Sequence, residues 1–237
     1  MEHRVVITGI GAITPVGNHA DETWKNLVEG NCGINLIEGL DEYNLPVKVA
    51  GQIKNFNQSE YELNAGLARR SDRFCIYAMA AASDAMKDSG LVSGENIEPE
   101  RLGVYIGSGI GGMDTFVNQT KVLLEEGVGR ISPFFVPMMI SNIASGNVAI
   151  SHNAQGVCLP VEQLVLQVHT LQVRLTALLS TAMLTPSSQV VLRLLYTPSQ
   201  LVASQTARLS HVRRIPSRHR FPSQLTVTAS LSLRVQV

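Results

Sequence analysis

The last 75 residues of this chain, 163–237, contain no Asp, Glu, Gly, Lys, Asn, Cys or Trp. A folded segment of that length is expected to need Gly or Asn at tight turns and carboxylates at helix starts, so the absence argues against an ordinary independent domain there. All 19 acidic residues lie at or before Glu162, and all 19 glycines at or before Gly156. The chain as a whole has only three cysteines, Cys32, Cys75 and Cys158. They show no metal-binding or disulfide spacing, and the odd count suits a reducing compartment. Met1-Glu2-His3-Arg4 leads into a strand without the apolar stretch of a signal peptide, and no run approaches the length of a membrane span. A cytoplasmic protein without a membrane partner is expected.

The zero net charge is an average of two unlike parts. Residues 1–162 carry 11 basic against 19 acidic side chains, whereas the tail has eight arginines and no carboxylate. Those arginines come without Lys, Gly or aromatics at useful spacing, so no nucleic-acid partner is expected. About 160 residues can bury a real core.

In chain order, Arg4–Gly11 is a β-branched run closed by glycines, the pattern of a strand buried on both faces. Asp21 is expected to cap a helix through Trp24, Leu27 and Val28 that ends at Gly30. A short strand-like piece follows at Val47–Gly51. From Ser71-Asp72 a long helix is predicted, with Phe74, Ala78, Ala81, Ala82, Ala85 and Met86 on one stripe and Gly90 as its stop. Arg101–Gly112 reads as a second strand entering a glycine-rich turn, then a helix from about Asp114 to Gly127. Ser132–Pro137 brackets Phe134 and Phe135 with prolines. A helix rich in small residues (Ala144, Ser145, Gly146, Ala149) follows, and Gly156–Val161 begins another strand. This alternation predicts an α/β fold with a largely parallel sheet covered by helices.

The glycine-rich Gly107–Gly112 could cradle a phosphate at a helix start, but it lacks full dinucleotide spacing and reads better as a steric tight turn. The opening TGIGAITPVG looks like a reductase start, yet no Tyr-x-x-x-Lys pair exists in the chain. Cys158, between Val157 and Leu159, reads as a small core residue rather than a nucleophile. His19 and His152 lie in polar loops without a second ligand at i+3 or i+4, so each reads as a solvated histidine. No metal ligand set and no cofactor are implied.

Taken together, RVVITGIGAITPVG (Arg4–Gly17), SDRFCIYAMAAASDAM (Ser71–Met86), GVYIGSGIGGMDTF (Gly103–Phe116), ISPFFVPMMISNIASGNVAI (Ile131–Ile150) and HNAQGVCLP (His152–Pro160) resemble the β-ketoacyl-acyl-carrier-protein synthases, most closely the fatty-acid-elongating type II members. The resemblance implies a thiolase-like fold, of which only the N-terminal half is represented. It also implies a homodimer and acyl carrier protein as partner. In the family an acyl group passes from carrier protein to a Cys thiolate at a helix N-terminus, and two histidines from the C-terminal half assist decarboxylation of malonyl-carrier protein. Ile110 matches a position lining the acyl pocket, and Phe134 and Phe135 match a segment near the dimer interface. On this reading 1–161 is an incomplete β-ketoacyl synthase N-terminal domain, and 162–237 is a tail without a domain of its own, expected to be non-native or disordered.

After Val161 the family continues as V-T-A-C-A-T-G-T, whose Cys is the nucleophile, but this chain has Glu162-Gln163-Leu164-Val165-Leu166-Gln167-Val168 and no later cysteine. The codons permitted for Glu162–His169, read from the third base of the first, can spell T-A-C-A-T-G-T. In the same frame Val173–Thr185 can spell E-A-Y-R-A-I-K-H-G-Y-A-D, and Pro186–Leu194 can spell I-I-A-G-G-S-E-A. One base lost near Val161–Glu162 accounts for the change of composition. The chain as printed is therefore expected to have no catalytic residue and no condensing activity. The competing expectations are a non-catalytic thiolase-like interaction module and, more distantly, a nicotinamide-dependent reductase.

Overall fold

The structure is a computed structural model, and it describes residues 4–37, 49–162, 188–193 and 228–236. A five-stranded sheet is built from β1 (Arg4–Ile13), β4 (Gly103–Ser108), β5 (Cys158–Glu162), β6 (Ser188–Arg193) and β7 (Thr228–Gln236), in the order β1-β7-β6-β4-β5. β4 pairs in parallel with both β5 and β6, and β7 runs antiparallel between β1 and β6. Four strands therefore share one direction and β7 alone opposes them; the alternating pattern predicts β1, β4 and β5, whereas β6 lies in the tail, where no strand is expected. A separate antiparallel ribbon joins β2 (Ile34–Leu36) to β3 (Val49–Gly51). Residues 47 and 48 of the strand-like piece lie outside the described residues.

The core forms around α3 (Arg73–Ser89). Asp72 accepts from the Phe74 N–H at its start, and Gly90 ends it in the left-handed region at φ 65°. The predicted stripe is buried, and so are Cys75, Met79 and Ala80 on neighbouring faces. A helix apolar on so much of its circumference must be covered on more than one side. Phe74, Ala78, Met79 and Ala82 meet Val104 and Ile106 of β4, while Ala80 and Ala81 meet Ile13 and Tyr61. Complete burial of a side chain such as Phe74 or Ile106 contributes about 1.5–3 kcal/mol. Gly9 and Gly11 of β1 face α3 while Ile7 and Ile10 are exposed, so this strand is covered on one face rather than on both as its β-branched run suggests. A Cβ at Gly11 would collide with the Ala81 carbonyl and lie 2.8 Å from the Ala85 nitrogen. Small residues on both elements let helix and strand meet backbone to backbone.

α1 (Ala20–Val28) begins two residues earlier than the Asp21 cap predicts. His19 holds the cap position, and Asp21 lies in the first turn with Glu22. The cap is local: the Glu22 carboxylate reaches back to the Asn18 N–H at 2.7 Å. α2 (Ala65–Ala68) is capped by Asn64. α4 (Met113–Glu126) matches expectation, and the helix predicted from its small residues is α6 (Ile143–Ser151), preceded by a separate short helix, α5 (Phe135–Met139), inside the proline-bracketed segment. Ile140 is extended (φ −64°, ψ 138°), which breaks the helical ladder between them. Ala144 and Val148 of α6 then pack on α3 and β4. β6 and β7 come from the tail and join the sheet through backbone pairing. The remaining tail residues, and the expectation of disorder there, lie outside the described residues.

Candidate functional site

The glycine-rich turn after β4 is the junction of four elements. Ser108 Oγ accepts from the Gly111 N–H at 3.1 Å, and the Gly112 N–H donates to the Met139 carbonyl at 2.8 Å. Gly111 has φ +86°, and a Cβ there would run into the Met139 carbonyl and the Ser141 nitrogen. A Cβ at Gly112 would run into the Met138 carbonyl and lie 2.9 Å from Asp72 Oδ2. The glycines thus serve close backbone approach. With the Gly111, Gly112 and Thr115 amides already engaged, a phosphate has little to bind, and the tight-turn reading fits the geometry.

Asp72 fastens this junction. It is 5% exposed, and its Oδ2 accepts from the Thr115 N–H at 2.9 Å and the Thr115 hydroxyl at 2.6 Å, while Oδ1 faces the Phe74 N–H. One carboxylate therefore caps α3 and satisfies the first turn of α4, where backbone donors lack helical partners. A second buried knot ties α6 to α3: Asn147 Nδ2 reaches Ser71 Oγ at 3.0 Å and Cys75 Sγ at 3.2 Å. Sequence reasoning placed Asp72 at the start of α3 but missed its bond to Thr115 and the Asn147 knot, because those partners lie 43 to 76 residues away and leave no local signal.

The contact between Gly111-Gly112 and Met138-Met139 brings the turn bearing Ile110 against the helix that begins at Phe135. Ile110 is 45% exposed. Phe134 lies under the Arg70 guanidinium, 4.6 Å from ring centroid to Cζ, a cation–π contact. Phe135 is half-buried, its ring 6.3 Å from that of Phe116. Leu124 near the end of α4, Val128 just after it and Val136 of α5 are also exposed.

Three expectations need correction. Cys158 is exposed rather than part of the core, because it starts β5, the last strand of the described sheet, beside exposed Val157 and Leu159. His152 closes α6 and is largely covered, and burial lowers its proton affinity from the ordinary histidine value. His19 meets two carboxylates brought from distant parts of the chain, Asp84 and Glu60. Among the described residues no group of three or more His, Cys, Asp or Glu could hold a metal ion, and no helix is long and apolar enough to cross a membrane.

The sheet order, the central helix and the packed turn define a thiolase-like fold, which solved ketosynthases share along the whole chain. A β-ketoacyl synthase from Burkholderia phymatum superposes with a TM-score of 0.82 at 20% identity, covering 100% of this chain and 60% of that one. A "type II PKS acyl-carrier protein in complex with its ketosynthase" gives 0.75 at 19% identity, covering 100% and 64%. Residues 2–162 match the family model "Beta-ketoacyl synthase, N-terminal domain", and the chain belongs to the β-ketoacyl synthase family. It is 48% identical over 153 residues to a 3-oxoacyl-[acyl-carrier-protein] synthase 2 of Staphylococcus aureus, and 42% identical over 153 residues to one of Synechocystis sp.. Each match takes in 65% of this chain and 36% of the relative, so the chain spans about a third of the length of these curated relatives.

Proposed function

We propose that this chain is the N-terminal part of a 3-oxoacyl-acyl-carrier-protein synthase of fatty-acid elongation, carried into a shifted reading frame near Val161–Glu162 and catalytically inactive as printed. The reading rests on one coincidence of position. The family match ends at residue 162, acidic residues also end at Glu162, and the alternative frame of the following codons can supply the nucleophile motif that the printed residues lack.

In the in-frame protein, the strand corresponding to β5 leads to the Cys nucleophile, which accepts the acyl group from acyl carrier protein; malonyl-carrier protein then loses CO2 and its carbanion attacks the thioester. The chain's own residues have positioning roles. Ile110 lines the acyl pocket, on a turn held by Asp72, Gly111 and Gly112. Phe134 and Phe135, with the exposed apolar residues nearby, face the second subunit of a homodimer. A cytoplasmic setting suits this chemistry and its carrier-protein substrates.

Resequencing the DNA across the codons for Cys158–His169 tests the frame, with one additional base expected. An unchanged sequence places the base loss in the gene itself and leaves an inactive fragment, whereas codons whose alternative frame does not encode T-A-C-A-T-G-T overturn the frameshift. In a condensation assay with acyl- and malonyl-carrier protein, the printed chain should fall roughly 10^4-fold or more below the frame-restored protein, because the nucleophile is missing. Comparable turnover by the printed chain would overturn the inactivity. The exposed apolar surface favours a second reading, an interaction module that binds a full-length synthase or carrier protein. A monodisperse complex of the printed chain with either partner in size-exclusion chromatography would support it.

A further inference from the structure

His19 occupies the residue before α1, in extended backbone (φ −134°, ψ 160°). Its Nδ1 lies 2.8 Å from Asp84 Oδ2 on α3, and its Nε2 lies 3.6 Å from Glu60 Oε2 in the short 3-10 turn Gln58–Glu60. The ring stacks on Tyr61 with centroids 5.1 Å apart, and the Tyr61 hydroxyl donates to the Asn18 carbonyl. Glu22 of α1 holds the Asn18 N–H. The titratable groups gathered about the ring are thus Asp84 from α3, Glu60 and Tyr61 from the turn, and Glu22 from α1. Lys87 of α3 pairs with Glu62, at 3.6 Å.

A neutral imidazole carries a single N–H. It can keep the bond to Asp84, but it then turns a bare lone pair toward Glu60, whereas the imidazolium donates to Asp84 and faces Glu60 as an ion pair. We propose that His19 is a proton-operated clamp that fastens the start of α1 to α3 and to the Gln58–Tyr61 turn, closed on both carboxylates when charged and released from Glu60 when neutral. Partial burial lowers the proton affinity of His19, but the hydrogen bonds and charges of Asp84 and Glu60 outweigh it, so the net displacement is upward. A group that binds its proton more tightly in the folded state stabilises fully below the unfolded-state value and loses that stabilisation as pH rises through the folded-state value. The clamp therefore opens on the alkaline side.

The full chain, its H19Q variant and its E60Q variant are compared from about pH 5.5 to 8.5 by thermal unfolding and by amide exchange of the first turn of α1, corrected for the intrinsic pH dependence of exchange. The gap in Tm between wild type and H19Q should be about 2–4 °C at the acid end and shrink toward zero at the alkaline end. First-turn exchange in wild type should speed roughly fivefold across the range and stay level in E60Q. A Tm gap independent of pH, or an exchange profile in E60Q identical to that of wild type, would overturn the clamp. If H19Q does not fold, the wild-type and E60Q exchange profiles decide alone.

Discussion

Residues 1–162 and the tail 163–237 help to build one sheet by different means. In the first region individual side chains decide the packing. Gly11 exists to admit the backbone of α3, Asp72 serves two helices at once, and Asn147 ties α6 to α3. What is described of the tail is backbone pairing: β6 sits beside β4 with Gly103 opposite Ser188, and β7 sits beside β1 with Ile10 opposite Leu231. Any non-proline residue carries the donor and acceptor that such a ladder needs. A strand can therefore be continued by generic backbone, while a catalytic site cannot. The sequence likeness to the synthases ends at residue 162, and the fold likeness runs through the whole chain.

That contrast can be broken from either side. The largest effect is expected from Gly11→Val, whose side chain would be driven into the Ala81 carbonyl. A loss of about 3 kcal/mol or more is expected in urea unfolding, enough to abolish the cooperative transition in a marginal fold. Leu231→Pro probes the tail's share. The residue lies in β7 between Ile10 and Val190, and proline removes a ladder donor from a strand paired on both sides, at a cost of about 2–3 kcal/mol if the tail supports the first region. An unchanged urea midpoint would show that residues 1–162 hold their packing without β7. Asp72→Ala should cost about 2 kcal/mol through the lost cap and the stranded Thr115 donors, and Asp72→Asn, which keeps an acceptor oxygen, about half as much. Equal losses for the two variants would locate the effect in charge rather than in capping.

Much of the first region was legible in the residues. The apolar stripe of α3, its Asp72 start and its Gly90 stop follow from short-range helix chemistry, and β4 and its glycine-rich turn follow from a β-branched run and the conformational freedom of glycine. The break between α5 and α6 was not legible, because the small-residue run Ile143–Ser151 and the preceding Phe135–Met139 are each compatible with helix and nothing local marks the extended Ile140 between them. The environments of His19 and Cys158 were misread for a related reason. Local sequence around His19 contains no partner, since Asp84 lies 65 residues away, and nothing around Cys158 indicates that β5 ends the described sheet.

The sequence by itself determined the family, the point at which its pattern stops and the residues on which the acyl pocket and interface are expected, because these depend on residue identity and order along the chain. Only the tertiary structure decided that the glycine turn is clasped by Met138-Met139 and Asp72, that Arg70 covers Phe134, and that two carboxylates converge on His19. Those facts depend on distances between segments remote in sequence, and short-range propensity carries no information about which distant groups the fold will bring together.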